Sequence, residues 1–520
     1  MFSAVLARSS IRRLATPGAI AALAGLALVG GVARGDSSTS LTIYSSAQPG
    51  AISPEMYSPG ASNPYGRQPR QIPGFAIIRR EQDMQLAGGV SVVRLTDVAA
   101  LIDPTSVLFQ SLTAPDAVSV LEQNFEFDLV SSQRLLEKYL DREIGVVVQR
   151  GDQQDVVRGT LLSTSGGLVL RTNGGGVRVL SSWQELQLPA LPDGLLTRPT
   201  LVWRVNADQA GEHRARIAYE TKGIAWWADY NLVFREGKDA NTGELDVSAW
   251  VSILNQSGAT YEDAKLKLVA GSVNRAPVPQ SRGVYAAAAR MELAEDGSGF
   301  DQKAFFEYHL YTLGRPTTIA DDSTKQIELF PSVTGVPCEK ILLYSGLDAS
   351  EWFYEGPMLD ENLGVQSKKD VDVYLRFKNV KEQGMGMPLP AGRIRVSQLD
   401  QSDQSLEFVG EDVIRHTPRN EEVLVKLGKS FDVVGERTRL EFRIDHGRRW
   451  MEEVYQIEIR NQKAEPVSVI IQERLLRWSQ WEITDKSQDF KKLDSRTIHF
   501  PVRVNPEGKA QVKYTVRYTW

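Results

Sequence analysis

Cysteine is almost absent from this 520-residue chain, which contains a single one, Cys338. One thiol cannot close a disulfide within the chain, so the folded protein must be held together by packing and hydrogen bonds. The cysteine follows Gly335-Val336-Pro337 and precedes a strand-like run from Ile341 to Tyr344. Because a free cysteine usually packs as a small hydrophobic residue, we expect Cys338 to be buried and chemically inert.

Histidine is also scarce, and its spacing argues against a metal site. The five histidines are far apart along the chain: His213, His309, His416, His446 and His499. Metal-binding pairs on a helix or hairpin need short spacings that these residues do not have. The sequence also lacks an HExxH motif, a phosphate-binding glycine loop and a nucleophile elbow. We therefore predict no metal and no cofactor, and no local motif names a catalytic residue.

A strong positive charge is absent as well. The chain has 60 Lys and Arg against 65 Asp and Glu. The first 35 residues hold four of the basic residues and no acidic one, so the remainder has 56 against 65, a formal net charge of −9. This balance argues against nucleic acid and against an anionic membrane surface as partners. The apolar content of 42% is ample for packed cores.

A long apolar run without a charge stands near the N terminus, from Gly18 to Ala33. It follows a basic start, Arg8 to Arg13, and ends at Ala33-Arg34-Gly35, which offers small residues to a signal peptidase. This order is typical of a secretory signal peptide, and the run is short for a membrane span. We predict a mature protein in the periplasm, cell envelope or medium with no stable membrane span after cleavage. The alternatives are an uncleaved anchor and twin-arginine export at Arg12-Arg13.

Short alternating strands dominate the rest of the sequence. Asp246 to Leu254, Val371 to Phe377 and Val454 to Ile459 share one design, an alternating strand closed by an Asn-containing turn. Asparagine tolerates the left-handed conformation of such turns, and many short strands with regular turns favour sandwiches. Residues 131–190 differ, with one short helix and five short strands. We predict an all-β fold with a small SH3-like or Sm-like barrel inserted among several immunoglobulin-like β-sandwich modules and few short helices.

Changes of composition divide the chain into predicted segments. In order, these are a signal peptide (1–35), a Pro/Ser/Gly-rich extended segment (36–74), an N-terminal β segment that starts the core (75–130), a short helix with a small β-barrel (131–190), a β-sandwich module (191–274), a linker or loop (275–302), a second β-sandwich module (303–450) and a C-terminal β-sandwich module (451–520).

Several longer motifs carry a family likeness. They are Gly223 to Leu232, Asn255 to Gly258, Tyr261 to Ala264, Leu268 to Gly271, Pro388 to Arg393, Gly410 to Asp412 and Gln472 to Trp481. Together they resemble the domain of unknown function found in proteins related to mucoidy inhibitor A, over roughly residues 80–520. The resemblance implies an all-β, secreted or envelope protein, and it supplies no established activity or catalytic residue. Many relatives carry a coiled-coil arm, but this chain shows no heptads.

Tryptophan supplies the candidate binding residues. Adjacent residues on a strand point to opposite faces, so Trp226 and Trp227 cannot share one core. An exposed Trp227 beside Tyr230 would stack on a sugar or a protein partner, and Trp481, close to Trp478, is a third candidate. The alternative is that Trp227 packs beneath a neighbouring module or loop.

We therefore expect a non-enzymatic binding or structural β-module protein whose partner is an envelope protein or glycan. The alternative is a hydrolase of envelope polysaccharide that uses paired carboxylates, for example from Glu307, Asp321 or Asp322. The two hypotheses differ in geometry, because a glycosidase needs two carboxyl groups roughly 5–9.5 Å apart across a cleft.

Overall fold

The computed structural model describes residues 37–44, 72–126, 132–150, 153–190, 192, 198–271, 273, 275, 300–305, 308–347, 356–365, 367–400 and 402–520. The predicted signal peptide, most of the segments 36–74 and 275–302, and Glu307 lie outside these residues. The described part is almost entirely strand, with one short α-helix. The predicted all-β class is confirmed.

The first half of the described chain contains a helix and fifteen strands. They are β1 (Ser38–Tyr44), β2 (Phe75–Leu86), β3 (Gly89–Thr96), β4 (Ile102–Ser111), β5 (Val118–Glu126), α1 (Ser132–Lys138), β6 (Glu143–Arg150), β7 (Gln153–Ser163), β8 (Leu168–Thr172), β9 (Val177–Leu180), β10 (Glu185–Gln187), β11 (Thr200–Ala207), β12 (Gly211–Lys222), β13 (Ile224–Glu236), β14 (Thr242–Asn255) and β15 (Tyr261–Ala270).

The second half contains fourteen strands and a 3-10 turn over Lys381–Gln383. The strands are β16 (Phe300–Phe305), β17 (Tyr308–Leu313), β18 (Thr317–Ile319), β19 (Ser323–Tyr344), β20 (Asp370–Lys378), β21 (Gly392–Leu399), β22 (Leu406–Ile414), β23 (Glu422–Asp445), β24 (Trp450–Asn461), β25 (Val467–Arg474), β26 (Trp481–Lys486), β27 (Lys491–Lys492), β28 (Thr497–Val504) and β29 (Lys509–Thr519).

These strands form four sheets. The eight-stranded sheet has the order β16-β17-β15-β1-β2-β12-β4, with β18 paired to β15, and the three-stranded sheet has the order β3-β11-β5. The thirteen-stranded sheet runs β22-β21-β13-β14-β19-β20-β23-β24-β29-β26, and β25, β28 and β27 extend it from β19. Period-two burial explains the strands: along β24, every second residue from Met451 to Asn461 is buried.

The predicted helix and five strands of residues 131–190 are present, but they do not close into a barrel. The sheet order is β10-β6-β7-β8-β9, and α1 helps to cover its own small core, which includes Leu136, Val146 and Leu161. The edge strands β9 and β10 have only four and three residues and do not pair with each other. Strands this short do not supply the ladder that closure requires.

The remaining sheets enclose two large hydrophobic cores, the first between sheets and the second within the thirteen-stranded sheet. The first includes Ile78 and Ile217 of the eight-stranded sheet and Trp226 of the thirteen-stranded sheet. The second lies among β23, β24, β25, β28 and β29 and includes Ile457 and Phe500. The long strands β19 and β23 contribute to both cores. The cores therefore share strands, and the domain limits given by the sequence remain predictions.

The three Asn-ended strands use asparagine differently from our expectation. Asn255, Asn379 and Asn461 are fully buried, and none has a left-handed backbone. Each amide Nδ2 donates to two loop carbonyls. Asn255 donates to Ala259 and Ala320 (2.9 and 3.0 Å), Asn379 to Met387 and Pro418 (2.8 and 3.1 Å), and Asn461 to Glu465 and Asn505 (2.8 and 3.1 Å). Each Oδ1 accepts a backbone N–H. These asparagines anchor loops because a buried amide needs all its partners within the protein.

No helix in the described ranges is long and apolar enough to cross a membrane.

Candidate functional site

Trp226 and Trp227 are both buried, on opposite faces of β13. Trp226 belongs to the first large core, whereas Trp227 packs with Ile72, Ala225 and Leu254 in a separate small cluster. The expectation that Trp227 is exposed is wrong, since only 6% of it remains accessible. The residues just before β2 cover this face of the sheet. Trp227 therefore packs beneath a neighbouring segment, which was the alternative prediction from the sequence.

The other two predicted aromatic residues are also engaged within the protein. Tyr230 is 1% exposed, and its hydroxyl donates to the carbonyl oxygen of Pro390 at 2.7 Å. Trp481 is half-buried; its indole Nε1 donates to the Ser495 carbonyl at 2.8 Å, and the Lys492 ammonium lies 4.7 Å from its ring centre. The structure therefore does not bring Trp227 and Tyr230 together as an exposed stacking surface, and Trp481 alone remains partly accessible.

Asp321 and Asp322 do not face each other across a cleft. They are neighbours in the turn between β18 and β19, where Asp321 Oδ1 accepts the Gly258 backbone N–H at 2.9 Å. Asp322 occupies a left-handed position of this turn, with φ of 47°. Both residues thus serve the turn, and the third predicted carboxylate, Glu307, lies outside the described residues.

Two other carboxylates, Glu453 on β24 and Glu473 on β25, lie in the second core. Each is only 2% exposed. Glu473 accepts two bonds from Arg437 Nε, at 2.9 and 3.1 Å, and one from the Tyr514 hydroxyl. Glu453 Oε1 lies 2.9 Å from Arg477 Nη2 and accepts the Tyr455 hydroxyl at 2.8 Å. We call these residues the buried charge cluster.

The arginines of the buried charge cluster also hold a loop in place. Arg477 donates to the carbonyls of Met358 and Asp360 at 2.8 Å and of Leu363 at 3.0 Å. Arg437 donates to Gly364 at 2.7 Å. The Arg437 guanidinium also stacks 3.6 Å from the ring centre of Tyr455, and burial raises the pKa of Tyr455 to about 12.

The buried charge cluster also includes Arg439, whose Nη1 lies 3.4 Å from Glu453 Oε1. Three arginines therefore face two carboxylates, and all of these groups bond to the protein itself. A general acid or base must exchange its proton with a substrate, and these carboxylates are covered and bonded to arginine and tyrosine. The arrangement therefore supports structure rather than acid–base chemistry. Sequence reasoning missed Glu453, although it stands at a core-facing position between Met451 and Tyr455, where a charge must find a partner.

A second site forms around the loop from Val380 to Ala391, between β20 and β21. We call it the anchored loop. Seven hydrogen bonds fix it. Asn379 donates to the Met387 carbonyl and accepts the Gly386 N–H, and the Tyr230 and Tyr311 hydroxyls donate to the carbonyls of Pro390 and Pro388. The Ala391 N–H donates to His416 Nδ1 at 3.0 Å, and Leu389 and Thr417 exchange two backbone bonds. Met385 and Leu389 reach the first core. The loop is therefore rigidly placed.

A cavity of about 480 Å³ opens beside the anchored loop, and we call it the basic cavity. It is lined by residues of three chain segments: His309 of β17, Lys381, Gly386 and Pro388 of the anchored loop, and Pro418, Arg419 and Asn420 of the turn before β23. Among the described residues, no carboxylate lines it. Within the described ranges, neither Lys381 nor Arg419 forms an ion pair.

His309 adds a neutral donor to the basic cavity. Its partial burial lowers the pKa of the imidazole, and the positive charge of Arg419 lowers that pKa further. Gln302 Nε2 lies 2.7 Å from His309 Nδ1. An amide nitrogen can only donate, so Nδ1 accepts and Nε2 carries the proton of the neutral ring. The lining of the basic cavity therefore includes two cationic side chains and one neutral N–H donor.

An open groove lies on the other side of the 3-10 turn. It is bounded by Pro331 to Pro337 of β19 and by Glu382 to Gly384. Proline has no N–H to donate, and Gly335 forms a bulge with φ of 72°. Prolines and bulges discourage the addition of another strand at a sheet edge, so this groove is a poor site for an extended peptide.

The described residues contain no cluster of three or more His, Cys, Asp or Glu that would hold a metal ion. No protein-family model, curated protein or solved structure matches this chain.

Proposed function

We propose that this chain is an exported, non-enzymatic β-protein that binds a glycan or protein of the cell envelope. The observation that carries the proposal is the state of Glu453 and Glu473. Both carboxylates are buried in the second core, and arginine and tyrosine side chains occupy both of them. The basic cavity, by contrast, is lined by two cationic side chains that form no ion pair with any described residue, which suits a binding site.

The proposal includes kinship with the family related to mucoidy inhibitor A. Two motifs that carry the resemblance, Gly223 to Leu232 and Pro388 to Arg393, are far apart in sequence and adjacent in space. Strand β13 pairs with β21, and the Tyr230 hydroxyl of one motif holds the Pro390 carbonyl of the other. Through this contact, both motifs help to position the anchored loop.

A paired assay tests binding against hydrolysis. The purified protein is immobilised and incubated with polysaccharide and protein fractions of its own cell envelope, and both retained material and newly released reducing ends are measured. We expect retention without release. Release of reducing ends that disappears in Glu453→Gln or Glu473→Gln protein with a native fold would overturn the proposal in favour of the hydrolase alternative.

Export is tested separately by the intact mass of the protein recovered from its own cells. The proposed signal peptide predicts an N terminus near Asp36. A mass that retains residues 1–35 would contradict cleavage and favour the membrane-anchored alternative.

A further inference from the structure

We propose that the basic cavity binds one oxyanion group, a carboxylate or a phosphate, carried by the envelope ligand. This inference rests on the proposed binding function and names the chemistry of its site. Lys381, Arg419 and His309 line one cavity, and no carboxylate of the described part of the chain lines it. The convergence of three such groups from three separate chain segments is the central observation.

The side chains of the basic cavity match the needs of an oxyanion. Arginine presents a planar set of N–H donors that fits the oxygens of a carboxylate or phosphate, and lysine adds a compact positive charge. The Nε2–H of His309 adds a neutral donor, and Asn420 also lines the cavity. Hydrogen bonds to a charged acceptor are stronger than neutral ones, so this set favours an anion over an uncharged sugar hydroxyl.

The basic cavity is also formed before any ligand arrives. Asn379 holds both sides of it, since its amide donates to Met387 in the anchored loop and to Pro418 in the facing turn. Gly386 adopts φ of 91° and approaches Lys381 so closely that a Cβ atom there would lie 2.8 Å from the Lys381 backbone. A site ordered by folding loses little further entropy on binding, which favours affinity.

The overall charge limits the size of the anionic group. A formal net charge of −9 outside the predicted signal repels an extended polyanion at long range. A single charged substituent, by contrast, interacts mainly with the nearby positive charges of Lys381 and Arg419. The cavity volume of about 480 Å³ is in the range of small-ligand sites. The geometry therefore points to one acidic sugar or phosphorylated group rather than to a continuous charged polymer.

Calorimetric titration of the purified protein tests the inference with three probes: inorganic phosphate, glucuronate and uncharged glucose. We expect phosphate, glucuronate or both to bind with a Kd of about 1–10 mM, as suits a site with two or three polar contacts, and glucose not to bind. Arg419→Gln and Lys381→Gln should each weaken anion binding about tenfold. The matched control is Lys378→Gln, because Lys378 lies outside the cavity and faces Glu422 at 3.9 Å.

The probes also distinguish the sources of the anion. Binding of phosphate alone assigns the site to phosphorylated groups, and binding of glucuronate alone assigns it to acidic sugars; each supports the inference. The absence of binding by both anions, or equal weakening by Lys378→Gln and Arg419→Gln, would overturn it. Either of those results leaves the proposed function intact if envelope material is still retained, so the two failures are distinguishable.

Discussion

Replacement of Glu473 by glutamine tests whether the buried charge cluster is structural. Glu473 is 2% exposed and Arg437 is 6% exposed, and their pair is made of two bonds at 2.9 and 3.1 Å. Glutamine keeps the shape of the side chain but leaves the Arg437 guanidinium buried without its anion. Loss of one partner of a buried ion pair costs about 3–5 kcal/mol of unfolding free energy. Native domains are stable by only about 5–15 kcal/mol, so the change is large.

The assay is urea unfolding followed by tryptophan fluorescence, because Trp478 and Trp481 pack against the second core that holds the cluster. The matched control is Glu441→Gln, whose carboxylate pairs with Arg443 while 51% of the side chain is exposed. An exposed pair contributes about 0–1 kcal/mol, so this control should unfold close to wild type. A Glu473→Gln protein that unfolds like wild type would refute the structural reading, and one that stays folded but loses an activity would indicate catalysis.

Three further predictions follow from burial. Trp227→Ala should lower the free energy of unfolding, measured by urea titration, by about 3–5 kcal/mol, because it opens a cavity beneath Ile72. The control Trp183→Ala, at a position 38% exposed, should lower it by less than about 1 kcal/mol. Equal effects would contradict the packing described for β13. Burial raises the pKa of Tyr344 and of Tyr455 to about 12. Their contribution to the free energy of unfolding is complete below pH 10 and falls as pH rises toward 12, by up to about 2.7 kcal/mol for each phenol. Phenolate absorbance should therefore rise together with unfolding. Ionisation of either residue near pH 10 in the folded protein would contradict the raised pKa values. Burial, and to a lesser extent the negative charge of Glu244, raises the pKa of the Cys338 thiol to about 12. Iodoacetamide at about pH 8 should therefore label Cys338 only after denaturation. Rapid labelling of the native protein would show an accessible thiolate and contradict this prediction.

The strand content was predictable because alternation of apolar and polar residues is a local signal. Burial of Cys338, which is 6% exposed, was predictable because a free cysteine usually packs as a small hydrophobic residue. The repeated Asn-ended strands were visible in sequence, but their mechanism was not. The partners of Asn379, Met387 and Pro418, lie 8 and 39 residues away, and only the folded chain shows that they meet.

The candidate sites depended even more on tertiary structure. Exposure of Trp227 was expected because its face of β13 lies opposite Trp226, yet a segment near Ile72, more than 150 positions earlier in the sequence, covers that face. His309, Lys381 and Arg419 are separated by long stretches of sequence and belong to no motif. Their convergence follows from the order of the sheets and from the loop anchored by Asn379, neither of which alternation specifies.

Binding through the basic cavity without catalysis is tested most directly by one comparison. Immobilised wild-type protein and the Lys381→Gln/Arg419→Gln double variant are matched for thermal unfolding and exposed to the same envelope polysaccharide fraction. Retained carbohydrate and released reducing ends are measured in both. We predict retention by wild type, at least about tenfold weaker retention by the variant, and no release from either. Release of reducing ends by the wild type, or equal retention by both proteins, would contradict it.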